Sequence, residues 1–180
     1  MQPTSASKSV LQRYRNAAYR PVGPRLPGGT DLIERGGRFA FTAPWPWHEL
    51  DPADLRGAGP FGPGVDLVVT APRTDNRDPL LYLAVRAEQV SLEDMNPKVV
   101  ARSMTQGTGF TTLSVNRVLL AGSRALVVDV ADQAAGQHSL LLLAPFGDIV
   151  VDGRADLPAI AALGYRTHVM SMLATWAWAP

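Results

Sequence analysis

The sequence predicts an α+β domain: an antiparallel sheet with helices on both faces, an α/β/α sandwich, behind a basic N-terminal arm. Three observations carry this. Apolar runs of strand length, separated by polar or glycine-bearing turns, recur from residue 37 onward. Two other segments have helical periodicity, and an amphipathic helix needs a sheet face to bury its stripe. The charge is also split. Residues 1–30 carry Lys8, Arg13, Arg15, Arg20 and Arg25 and no acid, whereas the rest of the chain carries 12 basic and 16 acidic residues. A basic arm on a mildly acidic body follows.

The arm is placed at 1–36 and the folded domain at 37–180. The arm holds Pro3, Pro21, Pro24 and Pro27 and the turn Gly28–Gly29. Its piece SKSVLQRYRNAAYR fits one short helix, with Ser7 or Ser9 as N-cap. Val10, Tyr14 and Ala17 or Ala18 would share a face, too few to build a core. Docking on the body, docking on a partner and remaining mobile are all open.

Residues 38–43 alternate, with Phe39 and Phe41 on one face of a strand. Pro44 ends it. In TAPWPWHEL, residues 42–50, Pro44 and Pro46 favour extended backbone. Trp45 and Trp47, two apart, would then point the same way. Trp47 is expected to fill the core edge near the last helix. Residues 50–64 are broken by Pro52, Pro60 and Pro63 and read as a loop, mobile over GAGPFGPG at 57–64. Residues 65–71 and 80–89 form a hairpin across the polar turn PRTDNRDP.

Asn96 and Pro97 mark a helix start and Gly107 its end, with Val100 and Met104 toward the core. Three strands follow: 110–120, 125–131 after the turn at Gly122–Ser123, and 139–151, bent or split at Pro145 and Gly147. The polar piece 132–138 is a hairpin loop. Asp156 is read as the cap of a short helix ended by Gly164, before a second helix over 165–177. Val169, Met172, Leu173 and Trp176 form its stripe. Trp178 would point about 200° from Trp176 on such a helix, exposed or covered by the arm or a partner. That makes it a candidate interface anchor.

Chemistry is thin. Without cysteine there are no disulfides and no thiolates. His48, His138 and His168 lack metal-ligand spacing, so no metal is expected. No nucleophile elbow and no phosphate loop occur, and no cofactor is expected. Ser171, His138 and Asp129 could be drawn as a triad, but histidines in loops or at a helix start are the plainer reading. The pairs Asp148/Asp152 and Asp129/Asp132 read as solvated strand ends. The acidic body has no continuous basic face, which argues against nucleic acid. The longest apolar run, 140–146, is strand-sized, which argues against a membrane helix. With no signal-like apolar region near the start, a cytoplasmic location is expected, a leader already removed being the open alternative.

Phe39, Phe41, Pro44 and Trp47, the small-residue turn over Gly122–Ala125, and the closing pair Trp176 and Trp178 are similar to the motifs of the PsbP-like superfamily. That group includes a photosystem extrinsic subunit, a Ran-binding import factor, actinobacterial surface lipoproteins and the Eag chaperones of bacterial secretion systems. The resemblance covers about 37–178 and none of the arm. The loop 57–64 and the long basic arm depart from the family. The resemblance implies the sandwich fold, no common active site and a protein-binding role. The expected function is a non-enzymatic adaptor, chaperone or structural subunit of a bacterial assembly, related to secretion or contractile injection. Its partner would be a protein, such as a secreted effector or assembly subunit. Arg13, Tyr14, Arg15, Tyr19, Arg20, Trp45 and Trp178 are the expected contacts. Two alternatives stand. One is a small hydrolase with a loop site near His48 or His138 and a polar cluster beneath the 57–64 loop. The other is a small-ligand or lipid-binding domain with a pocket between the sheet and the last helix.

Overall fold

The computed structural model describes residues 28–55, 59–72, 78–132 and 134–179. Ten strands and two α-helices are described: β1 (Thr30–Ile33), β2 (Phe39–Ala43), β3 (His48–Leu50), β4 (Leu67–Thr70), β5 (Leu80–Ala87), α1 (Pro97–Thr105), β6 (Thr111–Leu120), β7 (Ser123–Asp132), β8 (Gln137–Phe146), β9 (Ile149–Pro158), α2 (Ala162–Ala174) and β10 (Ala177–Trp178). Seven form one antiparallel sheet in the order β3-β4-β5-β9-β8-β7-β6, and three form a smaller sheet, β1-β2-β10.

The long strands are apolar on both sides, and their alternation sorts the core into two clusters. On β7, Val127 packs with Leu140 and Leu142 of β8 and with Val169, Met172 and Leu173 of α2. Leu126, Val128 and Val130 pack instead with Leu141 and with Ala101 of α1. Successive strand side chains point to opposite faces, which separates the two sets. The turns supply the tight hairpins: Ala121 and Gly122 both have positive φ between β6 and β7, as a two-residue turn there requires. α1 begins as expected, the Asn96 side chain accepting a hydrogen bond from the Lys98 amide at 3.0 Å, and Gly107 lies just beyond its end with φ 75°.

Several expectations are corrected. Residues 30–36, expected as the end of the arm, form β1 and a turn bound to β2; residues 1–27 lie outside the described residues. Asp156 caps no helix. It lies within β9, opposite Ser139 of β8, because ten-residue strand pairing outweighs a local capping signal. Gly164 lies inside α2 rather than ending it. The run 139–151 does split, at the Gly147–Asp148 turn between β8 and β9, but Pro145 does not break β8. The β7 ladder already stops at Leu143, so Pro145 sits where β8 has β9 on one side and no β7 partner on the other.

The smaller sheet is fixed by aromatics and one buried charge. Trp176 stacks on Phe39 at 4.4 Å between ring centroids and on Phe41 at 5.6 Å. Glu34 is fully buried. Its carboxylate accepts from the Gly36 and Arg38 amides and from the Arg38 guanidinium. Arg38 also reaches Asp66 at 3.0 Å, and Asp66 accepts from the Val85 amide at 2.6 Å. This chain of contacts ties the small sheet to β5. Burial alone would raise the Glu34 carboxyl, but the donors from Arg38 and Gly36 outweigh it and hold it below the usual carboxylate range.

Candidate functional site

The strand register builds one cleft. Tyr82 of β5 lies opposite Arg154 and Leu80 opposite Asp156, so Tyr82 and Asp156 are diagonal neighbours on one face. Val68 and Thr70 of β4 continue that face opposite Tyr82 and Leu80. The loop after β3 passes over it so closely that a Cβ at Gly59 would meet the Tyr82 ring at 3.0 Å. The result is a cleft of about 660 Å³, walled by Leu50, Leu55 and Leu80 and carrying Asp54, Asp78, Tyr82, Gln137 and Asp156. Its size is that of a small-molecule site.

Two polar groups in the cleft have unused capacity. Tyr82 is only 7% exposed, yet among the described residues no hydrogen bond to its hydroxyl is found. Burial, and then the Asp156 charge, raise its pKa, keeping it a neutral phenol. Asp156 takes both its side-chain donors on one oxygen, Oδ1: Ser139 Oγ at 2.8 Å and Arg154 Nε at 2.6 Å. Its Oδ2 accepts from no side chain among the described residues.

A second polar cluster lies on the other side of the sheet. Asp129, 5% exposed, accepts from Arg166 Nε at 2.7 Å, Arg166 Nη2 at 3.1 Å and Ser114 Oγ at 2.6 Å. Burial would raise this carboxyl; Arg166, Ser114 and the nearby His138 bring it below its ordinary value. Asp129 is thus a buried anchor for α2 and not a solvated strand end. Asp152 is paired with Arg86. The triad reading fails on geometry. Ser171 Oγ donates to the Thr167 carbonyl at 2.8 Å, and His138 Nε2 stands 4.0 Å from Asp129 Oδ1, beyond hydrogen-bond reach.

The chain superposes on the solution structure of cyanobacterial PsbP (CyanoP) from Synechocystis sp. PCC 6803 with a TM-score of 0.61, covering 92% of this chain and 99% of that one at 12% identity. The fold is PsbP-like. A Bacteroides thetaiotaomicron protein gives a TM-score of 0.45 at 13% identity, covering 84% of this chain and 49% of that chain. A Pseudomonas aeruginosa protein of unknown function, PA94, gives 0.43 at 12% identity, covering 79% and 94%. No family model and no curated protein matches the sequence.

Within this PsbP-like frame the two expected tryptophan anchors part company. Trp45 is 80% exposed, at the tip of the turn between β2 and β3. Trp47 is buried behind it, its Nε1 donating to His168 Nδ1 at 3.0 Å and its ring edge-on to Tyr165. They do not share a face because the segment is not extended: Trp47 N donates back to Pro44 O at 2.8 Å, closing a turn around a cis Trp45–Pro46 peptide. Trp178, expected to be exposed, is 1% exposed. α2 stops at Ala174, and Trp176 and Trp178 follow on nearly extended backbone, so both reach Phe39. Trp178 stacks on Phe146 at 4.6 Å and donates to Leu120 O at 2.9 Å. It is architecture and no anchor.

Arg13, Tyr14, Arg15, Tyr19 and Arg20 lie outside the described residues. Among the described residues no cluster of three metal-ligating side chains occurs, and no helix is long and apolar enough to cross a membrane. The 660 Å³ cleft is not where a pocket was expected: it faces away from α2 and lies under the loop that begins at Leu50. Tyr82 and Asp156 gave no signal in the sequence. Tyr82 sits in a strand that is apolar on both faces, and Asp156 resembled a helix cap.

Proposed function

We propose that this chain is a non-enzymatic protein-binding domain, an adaptor, chaperone or structural subunit of a larger assembly. We place a helix on each face of its large sheet and a basic arm before it. One observation supports the reading most: Trp45, a large aromatic, is held almost wholly in water on a short turn whose base is pinned by buried Trp47. Exposed, rigidly based tryptophans are typical centres of interfaces. The hydrolase alternative needs a histidine beside a serine and a carboxylate. Among the described residues the His48 ring has one hydrogen-bond partner, the Pro46 carbonyl at 3.2 Å, and His138 is out of range as above.

The test is capture from the source cell by the tagged full chain after crosslinking, with Trp45→Ala and a triple Arg13→Ala, Arg15→Ala, Arg20→Ala variant beside it. The reading expects a defined partner whose recovery falls at least fivefold with Trp45→Ala. Partner recovery unchanged by both variants would remove Trp45 and the arm as contacts, and the reading with them.

A further inference from the structure

We infer that the 660 Å³ cleft is a binding site for an aliphatic cation, an ammonium or guanidinium on a flexible methylene stem. The inference starts from two unmet polar groups. The Tyr82 hydroxyl is part of a side chain more than nine-tenths buried, lines the cleft and has no hydrogen-bond partner among the described residues. The hydroxyl is not one of the sealed atoms left without a partner, which among the described residues are His138 Nε2 and Trp176 Nε1; it is open to the cleft and can accept from a ligand there. Diagonal to it, Asp156 takes its two side-chain donors on Oδ1, and among the described residues no side chain donates to Oδ2.

Both groups can accept from the same donor. A phenol oxygen and a carboxylate oxygen on neighbouring strands suit an N–H-rich cation, which carries several donors and no acceptor. An anionic ligand would meet Asp54, Asp78 and Asp156, and none of the described lining residues is lysine, arginine or histidine. Asp54 and Asp78, on the loop side, add to the negative charge. Leu50, Leu55 and Leu80 provide the apolar wall that a methylene stem packs against, as lysine and arginine stems do elsewhere. Arg154 is spent on Asp156 and stacks over Phe110, 4.9 Å from its ring centre. It is not among the described residues that line the cleft.

The same chemistry has two sources, a free small amine or the side chain of a basic peptide. In the second case the inference rests on the protein-binding reading above and names its partner's chemistry. In the first it stands without it. The experiment is titration calorimetry of the full chain at low salt, with agmatine, n-pentylamine, n-pentanol and a synthetic peptide of residues 7–20 as probes. Tyrosine-ring NMR follows Tyr82, its signal assigned through Tyr82→Phe. Agmatine or pentylamine should bind saturably, with the Tyr82 signal shifting, and pentanol should bind at least tenfold more weakly. Tyr82→Phe should weaken the cation about threefold or more, and Asp54→Asn should also weaken it. Tighter binding of the peptide than of agmatine marks a protein side chain as the source, and the reverse marks a free amine.

Equal binding of pentylamine and pentanol would overturn the inference. So would saturable cation binding indifferent to both substitutions, or no saturable binding by any cationic probe. None of these results bears on capture through Trp45, so the two readings fail separately.

Discussion

Trp45 is the residue whose environment is most easily checked. It is 80% exposed, whereas Trp47, Trp176 and Trp178 are each within 2% of complete burial. Acrylamide should therefore quench a single accessible component of the tryptophan fluorescence. Trp45→Phe should abolish that component and shift the emission to the blue with no loss of stability; a quenchable fraction that persists would contradict the geometry. Glu34 and Asp129 make a second residue-scale case. Both carboxyls have pKa values lowered by folding, although burial opposes this in each. The unfolded chain therefore takes up protons first. The stability they contribute is complete above the ordinary carboxylate range, near about pH 4, and drains away as pH falls through that range to the lower folded values. Urea unfolding from neutral to acid pH should show this loss, and Glu34→Gln with Asp129→Asn should flatten it. Removing either carboxylate outright leaves its donors without their acceptor, the Gly36 and Arg38 amides at Glu34 and the Ser114 hydroxyl at Asp129, and should cost roughly 1–3 kcal/mol at neutral pH.

At the scale of elements, two glycines make opposite predictions. A Cβ on Gly153 of β9 would lie 2.9 Å from Leu142 Cβ and 3.0 Å from a Leu83 methyl. Gly153→Ala should therefore lower stability by about 1–3 kcal/mol through overpacking of the central strands. Gly164 of α2 has open space around it; there Gly164→Ala should raise stability by about 0.5–1 kcal/mol. Both are read from the midpoint of urea unfolding. The elements also divide by how legible they were. α1 was readable because its cap, proline and closing glycine are local signals. The β4–β5 hairpin and the β6–β7 turn were readable for the same reason. β1 was hidden because it is four residues long and one of its four residues is buried; only pairing to β2 makes it a strand. The C-terminal part was misread where local and distant preferences conflict. Asp156 and Pro158 resemble a helix start, yet β8 was waiting to pair with them. The cleft was least legible of all. Its described members come from β3, β4, β5, β8, β9 and the loops beside them, and no spacing in the sequence joins them.

At the scale of the whole molecule, the two sheets are joined by contacts that no single segment contains. The Glu34–Arg38–Asp66 chain links β1 and β2 to β5, and Trp178 links β10 to the ends of β6 and β8. Thr175 completes the closure, accepting from the Thr42 amide at 2.8 Å where α2 ends. Trp178→Ala should therefore act beyond its own strand, costing about 3–5 kcal/mol as buried aromatics do. Its unfolding should remain a single transition in which both sheets are lost together, followed by far-ultraviolet dichroism and by the fluorescence of Trp47. Separate transitions would show two independently stable sheets.

The pairing of β10 with β2, Trp178 against Phe39, also sets an order of events during synthesis. β2 leaves the ribosome early, with one edge and its ring of aromatics unmet, and must wait for the segment that carries Trp176 and Trp178. A stalled nascent chain ending before Ala177 should thus be protease-sensitive and bind holdase chaperones. One extended past Trp178 by the length of the exit tunnel should become resistant.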